Sequence, residues 1–344
     1  MNDLTLFDFN NDKDYRYAWV QQMPGSYEGL ILPGSYLSGI KGAFGHMLFQ
    51  CRPYKRLALW YNSYSVQRRM KTHARLERPI IEMSLVIDQE LEFTLKPFQS
   101  IKSKSWQFNI LYTPYMDNKT QFESFTKFAT LDIHFDLSIL EMLFEDFPDQ
   151  IGPLLDSVYD NKPMLYFPNY LYASPAMFSL ILRIINIIKS PAQNEALVEF
   201  LSCRLLLEGM NIKNGHRYCA LPFDKVLEME AIIENGIGLA MADKIKYKGN
   251  EYYAARCFMS NTTFKKYVKL FKGRSLKSMW QEARLERALE CVLHSDESIE
   301  KIASHFGFAS AAHFRTIILK RYGDMPIKLR RMAKGCSPSE VLKL

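Results

Sequence analysis

The sequence predicts an α+β chain, with a β-rich front half, a helical segment after it and an all-α carboxy-terminal domain. Three observations carry this. Short β-branched or aromatic runs separated by turn residues fill residues 44–135. Apolar residues then move to helical spacing between 137 and 210. From Asn250 to Arg330 one small two-helix pattern occurs twice, with a single helix between the copies.

Taken in order, residues 1–40 mix Asp, Asn, Tyr and Gly with little period and read as a loosely ordered lead-in. Residues 41–136 read as a β domain, a small antiparallel barrel or sandwich. Its strands are expected at Leu57–Tyr61, Ile81–Ile87, Leu91–Leu95, Phe108–Tyr112 and Leu131–Phe135, with a hairpin at Asp88 and Gln89. Residues 137–210 read as helices. Leu140, Leu143, Phe144 and Phe147 are spaced helically and stopped by Pro148, and Ile151–Val158 makes a short successor. Ser174–Ile188 and Asn194–Met210 follow, apolar over most of their girth, and such helices must be covered either by the core or by a second copy in a dimer. Residues 211–222 (NIKNGHRYCALP) are polar and end in proline, so they read as a linker, and residues 335–344 as a tail.

Residues 223–334 form the duplicated domain. In the second copy Ile299, Ile302, Ala303 and Phe306 set an apolar face. Gly307 and Phe308 then make a turn, and Ser310 opens a helix that buries Phe314 and Ile318. A two-helix corner needs a small residue where the helices cross, a residue free to take positive φ, and an apolar anchor in the second helix. Ala303, Gly307 and Phe314 supply them. The first copy uses Ala254, a turn at Phe258 and Met259 that is one residue shorter, the cap Ser260, and the anchors Phe264 and Val268, and Gly273 ends it as Gly323 ends its counterpart. The joining rod, Leu276–Leu293, places Leu276, Met279, Trp280, Ala283, Leu285, Ala288, Leu289 and Val292 on one side and leaves Lys277, Glu282, Glu286 and Arg287 wet. Eighteen residues at about 1.5 Å each give a rod of about 27 Å, near the ~34 Å between successive major-groove faces of B-DNA.

The segments ARLERALECVL, SIEKIASHFGFASAAHF and KRYGDMPIKLR resemble the DNA-binding domain of AraC/XylS-family transcription regulators. The match is carried by Arg284, Ala288, Ile302, Ala303, Gly307, Phe308, Ser310, Phe314, Gly323, Pro326 and Arg330. Phe258, Ile318 and Leu329 depart from the usual glycine, aromatic and tyrosine. The stretches EMSLVIDQELEFTL, FNILYTP, LDIHFDLSILEMLFEDFP and LLDSV are similar to the sensor half of pyochelin-regulator-like members. The resemblance implies a cupin-like front domain with a helical dimerisation segment and two helix-turn-helix units. It also implies double-stranded DNA and RNA polymerase as partners and a siderophore-like or other small-molecule effector, while a homodimer stays one of the two ways in which the apolar helices can be covered.

Charge agrees with a polyanion partner. From Phe223 onward there are 22 Lys and Arg against 14 Asp and Glu, and before it 22 against 23, so the surplus sits on the duplicated domain. The anchoring phenylalanines set which residues face out: Thr262, Lys265, Lys266 and Lys269 in the first unit, and Ser310, Ala311, Ala312, Arg315 and Thr316 in the second. Lysines reach guanine O6 and N7 or a phosphate, and threonine meets a thymine methyl. The first unit is therefore expected to discriminate sequence and the second mainly to add affinity. Arg284 and Arg287 of the rod either contact phosphate or brace the units. Because Arg284 falls at the arginine of the AraC/XylS pattern, the resemblance implies bracing there, its stem packed and its head paired.

Other classes find less support. The six cysteines, Cys51, Cys203, Cys219, Cys257, Cys291 and Cys336, have no metal-ligand spacing and read as reduced apolar residues. His46, His73 and His134 lie far apart, and no nucleophile or phosphate-loop motif occurs, so no cofactor, metal site or catalytic residue is expected. Two alternatives stay open: a front half that only dimerises or contacts a partner, and a cupin-type enzyme fused to the DNA-binding domain. The aromatics Phe93, Phe98, Trp106, Phe108 and Tyr112 either fill the barrel or line a ligand cavity. The longest apolar runs are too short to span a bilayer, so a cytoplasmic protein without a membrane partner is expected.

Overall fold

The computed structural model describes residues 17–335 apart from 26, 28, 99, 193, 213–218, 220 and 241–246. The chain forms two compact units, Met1–Val226 and Leu227–Leu344. The first contains β1 (Tyr17–Val20), β2 (Tyr36–Gly42), β3 (Gly45–Pro53), β4 (Leu57–Val66), β5 (Met70–Leu76), β6 (Ile80–Asp88), β7 (Leu91–Lys96), β8 (Ser100–Ser103), β9 (Gln107–Thr113), β10 (Met116–Phe122) and β11 (Thr126–Phe135). Helices α1 (Leu137–Phe144) and α2 (Pro148–Tyr159), the short strands β12 (Met164–Leu165) and β13 (Leu171–Tyr172), and helices α3 (Pro175–Lys189) and α4 (Glu195–Met210) follow.

All strand pairings are antiparallel. One sheet runs β1-β2-β3-β4-β11-β6-β9-β12, with β13 also on β9, and the other runs β5-β10-β7-β8. They share one apolar core, to which the first contributes Phe49, Trp60 and Leu111 and the second Met70, Leu95 and Phe122. This is the cupin-like sandwich that the resemblance implies. Side chains alternate across a strand. Along β6, Ile80 and Val86 join the core between the sheets. On the opposite face Met83 lies beside Gly209 of α4, where an added Cβ would come within 3.0 Å of Met83 and of Phe108. The central strands are therefore buried on both faces, which is why β6 reads as an unbroken apolar run relieved only by Glu82 and Ser84.

Several expectations are corrected. Tyr17–Val20 and Tyr36–Gly42 are strands, so the expected lead-in is partly sheet, while residues 1–16 lie outside the described residues. Asp88 and Gln89 do not close a hairpin. Strand β6 pairs with β11 and β9, whereas β7 pairs with β10 and β8. Gln89, at φ 58°, turns the chain from one sheet to the other. Pro148 does not merely stop a helix; it is the first residue of α2, where its missing N–H costs nothing.

Ser174 and Asn194 cap α3 and α4 through their side chains. Met177, Phe178, Leu180, Ile181, Leu182, Ile184, Ile185 and Ile188 of α3 are all buried within this one chain. The Arg56–Glu199 ion pair ties α4 to the β3–β4 turn. The girth of α3 is thus consumed by the core. Of the five aromatics, Phe93 and Phe98 pack on the core between the sheets. Trp106 instead meets Phe178, and its Nε1 donates to the Leu221 carbonyl at 2.8 Å. Phe108 lies on the α4 side beside Gly209. Burial pushes the Cys51 thiol up to about 12 and the Cys203 thiol up to about 11, so both behave as apolar groups.

Helix α5 (Phe223–Ala240) begins in the first unit, where Phe223 is buried against Trp106 and Tyr61. Of the expected linker, 213–218 and 220 lie outside the described residues, and Cys219 is buried. The second unit holds α6 (Asn250–Arg256), α7 (Asn261–Lys272), α8 (Leu276–His294), α9 (Ile299–His305), α10 (Ala311–Tyr322) and α11 (Pro326–Gly335). Most of the expected tail, 336–344, is not described. Among the described residues no helix is long and apolar enough to cross a membrane.

Candidate nucleic-acid interface

The two corners are built on the same backbone hydrogen bonds. In the first, Met259 N donates to Ala254 O at 3.0 Å and Phe258 N to Ala255 O at 3.0 Å. In the second, Phe308 N donates to Ala303 O at 2.9 Å and Gly307 N to Ser304 O at 3.0 Å. Each pair satisfies carbonyls that the short first helix would otherwise leave open. The cap Oγ of Ser260 accepts from Thr263 N at 3.1 Å, and that of Ser310 from His313 N at 3.0 Å. Both second helices end on a left-handed glycine, Gly273 at φ 71° and Gly323 at φ 79°.

The corner geometry also demands one left-handed residue, and it is Phe258 at φ 53° in the first copy and Gly307 at φ 66° in the second. Phe258 is 85% exposed, so little packing offsets a conformation that costs a side chain roughly 1–2 kcal/mol. A Cβ at Gly307 would meet only Arg284 Nη1, at an ordinary 3.8 Å. Gly307→Ala is therefore expected to cost about 1 kcal/mol from backbone conformation alone. Thermal unfolding of the variant beside wild type measures this, and an unchanged midpoint would contradict it.

Phe264 and Phe314 are each 0% exposed and orient α7 and α10. Around them, Thr262, Lys265, Lys266 and Lys269 are exposed on α7. On α10 and its cap, Ser310, Ala312 and Thr316 are exposed, while Ala311 and Arg315 are half-buried. The two faces differ in what their polar groups already hold. Arg315 is ion-paired with Glu300, and the Thr316 hydroxyl donates to the Ala312 carbonyl at 3.0 Å. Lys266 lies 5.5 Å from the Tyr267 ring. His313, which follows the two alanines, is exposed on the same helix and was not singled out because its imidazole breaks no apolar period.

Helix α8 has 19 residues and spans about 28 Å. Val292 and Leu285 pack with the second corner, and Trp280 and Ala283 with Ile237 and Ala240 of α5. Arg284 joins the two clusters. Its guanidinium lies 4.9 Å from the Trp280 ring and 4.6 Å from Phe308, and Nη1 donates to the Gly307 carbonyl at 3.4 Å. The head is stacked between rings rather than ion-paired, and burial lowers its pKa. Glu282, expected to stay wet, accepts from both Arg274 and Arg321. Those hydrogen bonds, Arg321 first, hold its carboxyl below the usual range. It clamps the end of α10 to the chain that leaves α7. Arg330 closes the domain by donating to the carbonyls of Val292 at 2.8 Å and Glu297 at 2.7 Å. Burial works against the Lys272 ammonium, but the Glu230 and Glu234 carboxylates outweigh it, so this lysine is spent on α5.

Residues 253–332, which hold both corners and the rod, match the family described as "Helix-turn-helix domain". This region is a helix-turn-helix domain of the AraC type. An AraC-type domain is the DNA-binding part of a transcription regulator, and this chain carries one. No curated protein matches the chain. Similar solved structures include a transcriptional regulator with an AraC-type DNA-binding domain from Chromobacterium violaceum, with 20% identity over 33% of this chain and 95% of that one and a TM-score of 0.27. The DNA-binding domain of AdpA in complex with a target DNA shows 21% identity over 31% and 96%, at 0.27. ToxT from Vibrio cholerae shows 12% identity over 78% and 100%, at 0.28. At such identities and scores the assignment rests on the family match and on the two corners.

Proposed function

We propose that this chain is a sequence-specific transcription regulator that lays α7 and α10 of its AraC-type domain against duplex DNA and senses a small-molecule effector through its cupin-like half. The carrying observation is the repeated corner, bond for bond, on both sides of one continuous helix. Each copy leaves the exposed side of its second helix available to a major groove. Discrimination is assigned to Thr262, Lys265, Lys266 and Lys269, and affinity to Ser310, Ala311, Ala312, Arg315 and Thr316, because Arg315 is already held by Glu300. RNA polymerase is the downstream partner of such a regulator, and a homodimer follows from the same reading.

Gel retardation of duplex fragments from the chain's own genome by the full-length protein tests this. Retardation that weakens steeply from about 50 to 200 mM salt, with a subset of fragments surviving, is expected. A folded protein that retards no duplex at low ionic strength would overturn it.

For the front half, sensing is favoured over a purely dimerising role by a cavity of about 120 Å³ between the two sheets, lined by both apolar and polar side chains. A barrel used only for contact has no reason to keep polar groups in its centre.

A further inference from the structure

Three neighbouring strands of the large sheet bring a polar cluster to the inward face of this cavity. Thr130 stands opposite Asn62, Asp132 opposite Trp60 and Ser84, and His134 opposite Glu82. The Asp132 carboxylate accepts from Asn62 Nδ2 at 2.6 Å, Ser84 Oγ at 2.7 Å and Thr130 Oγ1 at 2.7 Å. Glu82 Oε2 lies 3.0 Å from His134 Nε2. Two carboxyl groups therefore share one chamber, and no lysine or arginine is among its lining residues. Two further polar atoms of the lining, Trp60 Nε1 and Asn62 Oδ1, are buried with no hydrogen-bond partner. Buried carboxyl groups and orphaned polar atoms in an interior are costly, and stability alone does not account for them. Across the chamber the other sheet offers the apolar side chains of Phe93, Leu95 and Phe122 beside Thr72, Asn118 and Thr120.

We propose that this chamber binds a small organic cation, a primary amine or guanidine of a few heavy atoms, with its charged end on Asp132 and Glu82 and its apolar part toward the opposite sheet. The proposal rests on the reading of the front half as a sensor and names the class of its effector. The volume supports a small ligand. About 120 Å³ holds a few water molecules and falls below the ~300–1,000 Å³ of sites that take drug-sized compounds. A siderophore-sized effector does not fit it.

The chemistry of the empty chamber points the same way. Burial, and then the neighbouring Glu82 carboxylate, push Asp132 up to about 8, so at neutral pH it keeps its proton. The other titratable groups facing it are Glu82 of β6, His134 of β11, Tyr64 of β4 and Tyr170, and burial also raises the two phenols. A cation at the carboxyl favours the ionised form, so binding releases the Asp132 proton and tightens as pH rises toward 8. Because the folded-state pKa lies above the unfolded one, the empty protein loses stability as pH rises through that window. Asp132→Asn, which keeps the shape and cannot ionise, is expected to raise its melting temperature at neutral pH.

The test is thermal shift and calorimetric titration of the full-length protein with methylamine, propylamine, 1,4-diaminobutane and guanidine hydrochlorides at constant ionic strength. Propanol, propionate and sodium chloride serve as matched controls. At least one cation is expected to raise the melting temperature, more at pH 8 than at pH 6, and its affinity should fall at least tenfold in Asp132→Asn and in Glu82→Gln. Absence of any cation effect, an equal effect of sodium chloride, or full binding by both variants overturns the proposal. If propanol or propionate binds instead, the ligand class fails while the sensor reading stands. Retardation of DNA by the same preparation, read in parallel, keeps the failure of the regulator reading distinct from both.

Discussion

Phe314→Ala is expected to cost about 3–5 kcal/mol and to unfold the second half of the DNA-binding domain first. The side chain is 0% exposed and sits in a cluster with Leu285, Ala288, Val292, Ile299, Ile302, Ala303, Phe306, Phe308 and Ile318. Truncating a phenylalanine in such a site loses its transfer free energy and leaves a cavity that short, capped helices cannot easily collapse into. A loss of that size is comparable to the roughly 5–15 kcal/mol that holds a whole domain together. It should appear as lost amide protection in α9, α10 and α11 by hydrogen exchange, with the front unit unchanged. Phe314→Leu, which keeps most of the volume, should cost well under half as much. Protection in α10 within about 1 kcal/mol of wild type would contradict the assignment of Phe314 as the anchor that aims this helix. Phe264→Ala makes the same case for α7, since Phe264 is equally buried.

These anchors were legible in the sequence because every signal of the corner is local. A serine cap, a left-handed turn, a phenylalanine four residues after the cap and a glycine stop all fall within about twenty-five residues, twice. The β half was legible where strands are apolar throughout or, as in β7 (LEFTLK), alternate cleanly between apolar and polar residues. Strands β6 and β9 read as apolar runs, but β5 (MKTHARL) and β10 (MDNKTQF) belong to the smaller sheet, carry polar residues and hid as loops. The Asp88–Gln89 turn was misplaced because a turn residue signals a reversal without saying which sheet receives the next strand. The polar cluster was hidden for a similar reason. Glu82 and Ser84 alternate on one strand and Thr130, Asp132 and His134 on another, and only the register joins them into one site. Glu282 was read as solvated because its partners, Arg274 and Arg321, are 8 and 39 residues away.

Lys265→Ala is expected to weaken binding to the selected operator by about 1–3 kcal/mol and to relax one base position, with a much smaller loss on random duplex. Lys265 is exposed on the flank of α7, about 100° round the helix from Phe264, and no ion pair within the described residues engages its ammonium. It is therefore available to a guanine edge without breaking an existing contact. Arg315, the corresponding long donor of α10, must first leave Glu300, and that cost subtracts from whatever it gains on DNA. Arg315→Ala should accordingly cost less on the operator than Lys265→Ala, and Glu300→Gln should strengthen the contribution of the second unit. Binding-site selection with each variant, followed by titration at several salt concentrations, separates the roles. A base-reading lysine changes the selected sequence, whereas a phosphate-binding one lowers affinity on all sequences and reduces the salt slope by about one. Equal losses on operator and random DNA would assign Lys265 to the backbone and move discrimination to Thr262, Lys266 and Lys269, the remaining exposed residues of the same face.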